Sequence, residues 1–447
     1  MMLSHVHLLA LLILFPCQTA SRDCKIGVVD VTDRAYDFEL AHCDVERRTI
    51  TRDGQVYANT DSQGESHKYG QHAGPYWLVH AIQASDQYTD DVDRADVIFV
   101  DDYCFMMSHT GTFHGGGFAD GFDPSAELQK AYNKLASWPR FTKTNGSDFV
   151  FYSPHPATGL SQTEMKCMEF SRSLHIVVEA LQRRPCSEPA DQNYVVVPYA
   201  SPHFIEDQGA WPAQSHLLFF LGSCEDGEDA SYGKKMRSLF VKLVRQSTSL
   251  STDGSKDIYV HCTGDQHSQA HDQLRHNMRR SLFCIVLPGD TASSRRLTEA
   301  VLAGCIPVFV GPPWSSMPLA HKINYTQIAL FFQLNAFQEV LQETLPDQHM
   351  LRGDDVFDYR GWSPDTDISA HVVQAATASD IIDMLRSMDK HKVKHLLQNA
   401  AMVSSLFRYR HLSTDDEQHS SPTVPDAVIE LMCSRVMESG SNTIESI

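Results

Sequence analysis

Positive charge is scarce in this chain. Its 447 residues carry 37 Lys and Arg against 56 Asp and Glu, a formal net charge of −19. So acidic a protein excludes a nucleic acid backbone or an anionic membrane face as its main partner. Long apolar runs are missing too: beyond the N-terminus no stretch reaches the roughly 20 residues that a bilayer core requires. No internal repeat or sizeable low-complexity tract occurs, which sets aside repeat architectures. Neither a G-x-S-x-G elbow nor an H-E-x-x-H pair is present, so hydrolases built on those motifs are excluded. Eleven Cys occur, but no two stand at the spacing of metal ligands.

What is present is an ordinary globular composition, 42% apolar and 21% charged, over a length that suits two domains. One segment says more than the rest. Residues 281–313 read SLFCIVLPGDTASSRRLTEAVLAGCIPVFVGPP. The apolar run 282–287 is too short for a buried helix and is bounded by Pro288 and Gly289, which reads as a buried strand. A polar loop follows, and Ser293 or Ser294 is placed to cap a helix over 295–303, with Gly304 just past its end. The run 305–310 is a second buried strand. Strand, loop, helix and strand make a βαβ crossover with parallel strands.

That helix opens on Arg295 and Arg296, beside backbone N–H groups that have no intrahelical partner. Two guanidinium groups at a helix N-terminus form an anion site suited to a diphosphate. Gly289, Ser293 and Ser294 shape the loop and contribute backbone N–H groups. Glu299, about one turn further in, is placed to accept from ribose hydroxyls. A plainer reading stays open for the same residues: an i,i+4 ion pair of Arg295 with Glu299 on an exposed helix. Arg275, Arg279 and Arg280 either add to the local positive charge or line a solvated helix face.

The remaining sequence alternates in the same way. Strands are expected over 25–31, 96–100, 149–152 and 194–197, with helices over 71–84, 125–136 and 170–181 and a loop over 109–123. Residues 205–215 read as a connection. A second alternation follows, with strands over 217–221, 258–261 and 328–332 and helices over 232–246 and 271–278. Residues 381–409 form one or two helices. Beyond 411 the chain turns polar and acidic, with an amphipathic stretch over 427–436 that either packs or hangs loose. Strands alternating with helices mean an α/β protein with mostly parallel sheets.

The 281–308 segment resembles the signature of the exostosin family, glycosyltransferase family 47. The resemblance rests on Ser281, Phe283, Cys284, Pro288, Gly289, Asp290, Ser293, Ser294, Arg295, Arg296, Leu297, Glu299, Ala300, Gly304, Cys305, Ile306, Pro307 and Val308. Weaker similarity runs through YTDDVDRADVIFVDDY (88–103), VVVPYASPHF (195–204) and HLLFFLG (216–222), for a coverage of about 70–340. The resemblance implies a GT-B-like fold, two Rossmann-like domains facing a cleft. The acceptor-side domain spans 25–205 and the nucleotide-sugar domain 215–380, followed by terminal helices over 381–412 and an acidic polar tail over 413–447. A single large doubly wound domain with an N-terminal extension is the other fold reading. The implied activity is inverting transfer of a sugar from a UDP-sugar to a glycan, polysaccharide or glycoprotein acceptor. Assembly with itself or with related transferases is a further implication.

No cofactor or metal is expected. Cationic side chains and a helix N-terminus can neutralise a diphosphate leaving group, and an Asp-x-Asp motif in a loop after a strand is expected to be absent from the donor half. Asp101-Asp102 comes nearest, but in the first half, where it reads as a strand-end turn. The catalytic base is expected from that first half: His155 or Asp148, ahead of Asp102 and His72. Two departures from the family pattern fall there. Gly146-Ser147-Asp148-Phe149 stands where the family often has G-R-D-H, and Asp101 replaces a Pro. They open a second functional reading, an inactive sugar- or nucleotide-binding protein on an exostosin-like scaffold.

Residues 6–15 are apolar and precede Pro16, Thr19, Ala20 and Ser21, the pattern of a signal peptide over 1–20. Family resemblance offers an uncleaved Golgi anchor instead. Either places the protein in the secretory pathway, in the Golgi lumen or beyond it. Loss of Cys17 with that segment leaves ten of the eleven Cys, an even number that fits an oxidising lumen. Cys284 and Cys305, in the two signature strands, are either inert core thiols or a bridge. Asn145-Gly146-Ser147 and Asn324-Tyr325-Thr326 are glycosylation sequons.

Overall fold

The computed structural model describes residues 24–31, 42–44, 49–52, 55–58, 71–103, 124–154, 172–179, 194–201, 214–228, 230–249, 257–263, 274–289, 293–311, 317–337, 340, 368–409 and 421–441. The segment expected at 1–20, the loop expected at 109–123, most of the expected connection at 205–215, Asp290 and His155 lie outside them.

The chain is α/β with two parallel sheets and one small antiparallel sheet. The reading as one doubly wound sheet therefore falls away. The first parallel sheet holds β1 (Ile26–Asp30), β5 (Val97–Asp101), β6 (Phe149–Ser153), β7 (Leu174–Val177) and β8 (Tyr194–Val196), in that spatial order. Each described strand lies beside the next one in sequence, so the order never reverses. Helices α1 (Gly74–Ala84), α2 (Pro124–Ala136) and α3 (Pro139–Thr144) belong to this half. The antiparallel sheet β2 (His42–Asp44), β3 (Thr49–Arg52) and β4 (Gln55–Ala58) sits in sequence between β1 and α1.

The second parallel sheet contains β9 (His216–Ser223), β10 (Ile258–Thr263), β11 (Ser281–Val286), β12 (Ile306–Val310), β13 (Leu330–Leu334) and β14 (Val372–Ala375). Its spatial order is β10-β9-β11-β12-β13-β14. The chain goes from β9 to one side and then returns to the other, which creates a switch point between β9 and β11. Helix α4 (Tyr232–Ser249) follows β9, and α5 (Arg296–Ala303) follows β11. Strands β11 and β12 are buried along nearly their whole length, as expected for parallel strands covered on both faces.

The described residues of the helix expected at 170–181, 172–179, do not form it. Within them, Leu174–Val177 is strand β7, parallel to β6 and β8 with Ile176 opposite Tyr152 and Val195. All four of its residues are buried. A strand buried on both faces shows no alternation, and a continuous apolar run such as LHIVV then resembles a helix segment. Its β-branched Ile176, Val177 and Val178 favour the strand.

The end of the chain returns to its beginning. Helices α6 (Ala378–Arg386) and α7 (Lys390–Val403) pack on the second half, and α8 (Val424–Ser441) lies against α1 and β5. The stretch read as a polar tail thus contains a packed helix: Val424, Ala427, Val428, Met432 and Cys433 are buried. Cys433 is bonded to Cys24, and Lys322 in the second half pairs with Glu430 at 2.9 Å. Tyr409 fastens the first sheet from behind. Its Oη lies 2.6 Å from Tyr152 Oη and donates to the Pro198 carbonyl at 2.5 Å. Gly74 is required beside them, because a Cβ there would lie 2.1 Å from Tyr152 Oη. One buried cluster runs without a break from Ile26 and Val97 through Tyr199 to Phe219 and Leu297. The two sheets therefore share a core.

Candidate functional site

In open parallel sheets, ligands bind beyond the carboxyl ends of strands, at a switch point. Among the described strands only the second sheet has one, and the signature loop leaves it from β11. Gly289 N–H donates to the Ser293 carbonyl at 3.0 Å, which closes the loop on itself. Helix α4 starts against this turn. A Cβ on Gly233 would lie 1.9 Å from the Gly289 carbonyl oxygen, so glycine alone permits the contact. The first turns of α4 and α5 thus meet at one loop.

Arg295 is the N-cap residue of α5, and Ser294 Oγ accepts from Arg296 N–H at 3.3 Å. Gly304 ends the helix in the left-handed conformation, φ 73°, as a glycine cap does. Both arginines turn to one carboxylate. Arg295 Nε stands 2.9 Å from Glu299 Oε1, Arg296 Nη1 bonds Glu299 Oε2, and Arg296 Nε donates to the Leu221 carbonyl of β9 at 2.9 Å. Glu299 is fully buried, and every residue from Leu297 to Ala303 is buried with it. The ion pair weighed in the sequence reading therefore exists, with both arginines in it and on a buried helix instead of an exposed one. Burial presses the Arg296 pKa below its usual value, against the opposing pull of Glu299. Both guanidinium groups are held at the switch point.

Cys284 and Cys305 are bonded, with Cα atoms 5.7 Å apart. Of the two readings of this pair, the bridge is correct, and it ties β11 to the start of β12 beneath the site. Cys224 and Cys262 link the ends of β9 and β10. Arg279 and Arg280 lead into the amino end of β11, where Arg280 Nε donates to Ser215 Oγ at 3.1 Å. They stand at the edge opposite the signature loop and add no positive charge to it.

Residues from the carboxyl edge of the first sheet reach this loop. Glu179, just past β7, accepts from Ser293 N–H through Oε2 at 2.8 Å and is buried. Tyr199, past β8, places its Oη 2.9 Å from Ser293 Oγ. His72 lies edge-on to the Tyr199 ring, centroids 6.1 Å apart, and its Nδ1 bonds the Pro154 carbonyl past β6 at 2.8 Å. His155, the next residue, lies outside the described residues. The sequence reading missed Glu179 and Tyr199. Tyr199 closes the VVVPY run. Glu179 was hidden by the helix expected at 170–181; on a strand it falls at a carboxyl end, where ligand contacts gather.

Asp148 is placed differently. It precedes β6, at the amino edge of the first sheet, where Arg140 Nε donates to Oδ2 at 2.7 Å and Thr144 Oγ1 donates to Oδ1 at 2.5 Å. Arg140 also donates to the Val92 and Ala95 carbonyls, each at 2.6 Å. Asp148 thus closes a structural knot away from the Ser293 loop. Asp102 is buried and accepts from Tyr132 Oη at 2.5 Å. Burial raises its pKa to about 7, with the Tyr132 bond opposing. Asp101 rises to about 8, through burial first and then the charges of Asp30 and Asp102. Asp30 is its register partner on β1.

Among the described residues no group of three or more His, Cys, Asp or Glu could hold a metal ion. Against the expected absence, residues 215–380 do hold one Asp-x-Asp triplet, Asp365-Thr366-Asp367, which lies outside the described residues. No described helix is long and apolar enough to cross a membrane.

The model of the exostosin GT47 domain matches residues 36–346, which takes in the antiparallel sheet, the first sheet from β5 onward and the second from β9 to β13. A probable glucuronosyltransferase of Oryza sativa subsp. japonica is 28% identical over 206 residues, covering 44% of this chain and 46% of that protein. A probable glucuronoxylan glucuronosyltransferase of Arabidopsis thaliana is 26% identical over 266 residues, 57% of this chain and 53% of its own. A probable beta-1,4-xylosyltransferase of Arabidopsis thaliana is 25% identical over 301 residues, 63% and 66% respectively. The chain spans about half the length of the first two relatives.

Proposed function

The chain belongs to the exostosin GT47 family, and from that premise we propose that it is an inverting glycosyltransferase. It moves a sugar from a UDP-sugar to a glycan or glycoprotein acceptor in the secretory pathway, on a GT-B-like arrangement with the donor in the second half. The observation that carries this reading is the site at the β9–β11 switch point. There the signature loop, two guanidinium groups and the first turns of two helices meet residues from the carboxyl edge of the first sheet. The relatives are named as glucuronosyl- and xylosyltransferases, which makes a uronic acid or pentose the first donors to test.

In this reading the backbone N–H groups at the start of α5, with Arg295 and Arg296, stabilise charge on the departing diphosphate. Glu299 fixes the two guanidinium groups; contact with a ribose requires it to leave that pair. Gly289, Ser293 and Ser294 form the wall of the phosphate site. The base that takes the acceptor proton comes from the carboxyl edge of the first sheet. In sequence His155 follows Pro154, whose carbonyl bonds His72, whereas Asp148 faces the other edge. The proposal assigns no step to a metal ion or cofactor. Assembly with related transferases belongs to the same proposal. The experiment that tests it is a screen of UDP-sugars for nucleotide release with and without oligosaccharide acceptors.

One observation supports a second reading. At the altered Gly146-Ser147-Asp148-Phe149 segment, Asp148 is wholly engaged by Arg140 and Thr144. A binding protein that retains the donor site without transfer would look the same there. It binds UDP and releases none from a UDP-sugar.

A further inference from the structure

The signature loop is occupied by the protein's own anions. Glu299 takes both guanidinium groups. Glu179 takes the backbone N–H of Ser293, two residues before the N-cap of α5. Glu179 comes from the opposite sheet, and its buried carboxylate reaches the signature loop. Burying a carboxylate is costly unless it is hydrogen-bonded, and the bond it finds is one of the N–H groups that a phosphate oxygen would take.

We infer that Glu179 is a positioning residue of the donor loop: its carboxylate holds Ser293 N–H in place of the donor diphosphate and is released when the donor binds. The inference rests on the reading of this loop as the donor site. Donor binding then does two things at once. The diphosphate takes the N–H, and Glu179 leaves the loop at the edge where the first sheet supplies the base. Tyr199, neutral and bonded to Ser293 Oγ, keeps the loop against the first sheet during the exchange.

Charge is what separates this role from a merely structural one. In Glu179→Gln the side-chain carbonyl still accepts from Ser293 N–H, so the loop keeps its shape, but the anion that repels a diphosphate is gone. Calorimetric titration of the full chain with UDP should show the variant binding about three- to tenfold more tightly than the wild type, the size expected for removing one like charge a few ångströms away. Inorganic pyrophosphate should show the same gain, and uridine, which carries no phosphate, should show none. Glu179→Ala also removes the charge and carries the test if the Gln variant fails to fold. A purely structural Glu179 predicts unchanged affinity for Gln and weaker affinity for Ala. Unchanged or weaker UDP binding in the variants, or a gain shared by uridine, overturns the inference while the donor site stands. Absence of UDP binding in the wild type overturns both.

Discussion

Cys24 and Cys433, separated by 409 residues in sequence, are bonded with their Cα atoms 5.7 Å apart. The bond fastens α8 to the residue two places before β1, so the two ends of the described chain close on one another. Its loop is very long, and cross-linking a long loop removes much entropy from the unfolded chain. Cys433→Ser should therefore destabilise the protein by about 2–5 kcal/mol. Denaturant unfolding of the two forms checks this; equal midpoints and slopes would show that burial of Val428 and Met432 alone holds α8.

The arginines of α5 should separate in their effects. Arg295 keeps 24% of its side chain exposed and Arg296 15%, whereas Glu299 is closed off. Arg295→Ala should fold normally and bind UDP roughly ten- to a hundredfold more weakly, the loss of one charge-assisted hydrogen bond. Glu299→Ala should instead destabilise the fold by about 3–5 kcal/mol, because two guanidinium groups lose their buried partner. Calorimetry and thermal melts on both variants test the pair.

The Asp101–Asp102 pair predicts how stability changes with pH. Both carboxyl groups are pushed up, Asp101 to about 8 and Asp102 to about 7. The folded state then holds more protons than the unfolded state between about pH 4 and pH 8, and stability falls as pH rises through that window. Asp101→Asn removes the larger contribution. It should raise the melting temperature by about 2–4 °C at pH 8 and leave it nearly unchanged at pH 4. A gain at pH 4 equal to that at pH 8 would contradict this assignment.

The proposed function gives Asp148 and His155 different roles. Asp148→Asn weakens the knot with Arg140 and should lower the melting temperature while turnover per folded molecule holds. His155→Ala should cut turnover by about 10²–10⁴-fold and leave UDP affinity alone, as loss of a general base does. Transfer rates normalised to folded protein decide between them; full turnover in His155→Ala would remove it as the base.

The signature unit was legible because each part carried a local signal: Pro288-Gly289 to stop a strand, serines before a helix, Gly304 to end it. The burial of the α5 ion pair, the switch point and the Glu179 contact were not legible. Each depends on which strands become neighbours, and strand order is not written in local periodicity. The β7 error has the same root, since a strand covered on both faces loses the alternation that marks strands. The antiparallel sheet did leave a trace: Arg52 pairs with Gln55, and the two residues between them in sequence are Asp53-Gly54, a favoured hairpin pair. Nothing in the G-S-D-F segment announced that Asp148 would be claimed by Arg140, eight residues earlier.

The most direct test of the central claim is product analysis by NMR after incubating the protein with a panel of α-linked UDP-sugars, UDP-glucuronic acid and UDP-xylose first, and an oligosaccharide acceptor. The account predicts UDP release that depends on acceptor, together with a new anomeric proton whose coupling marks an inverted, β-linked sugar. An α-linked product, or tight UDP binding with no release from any donor, would contradict it.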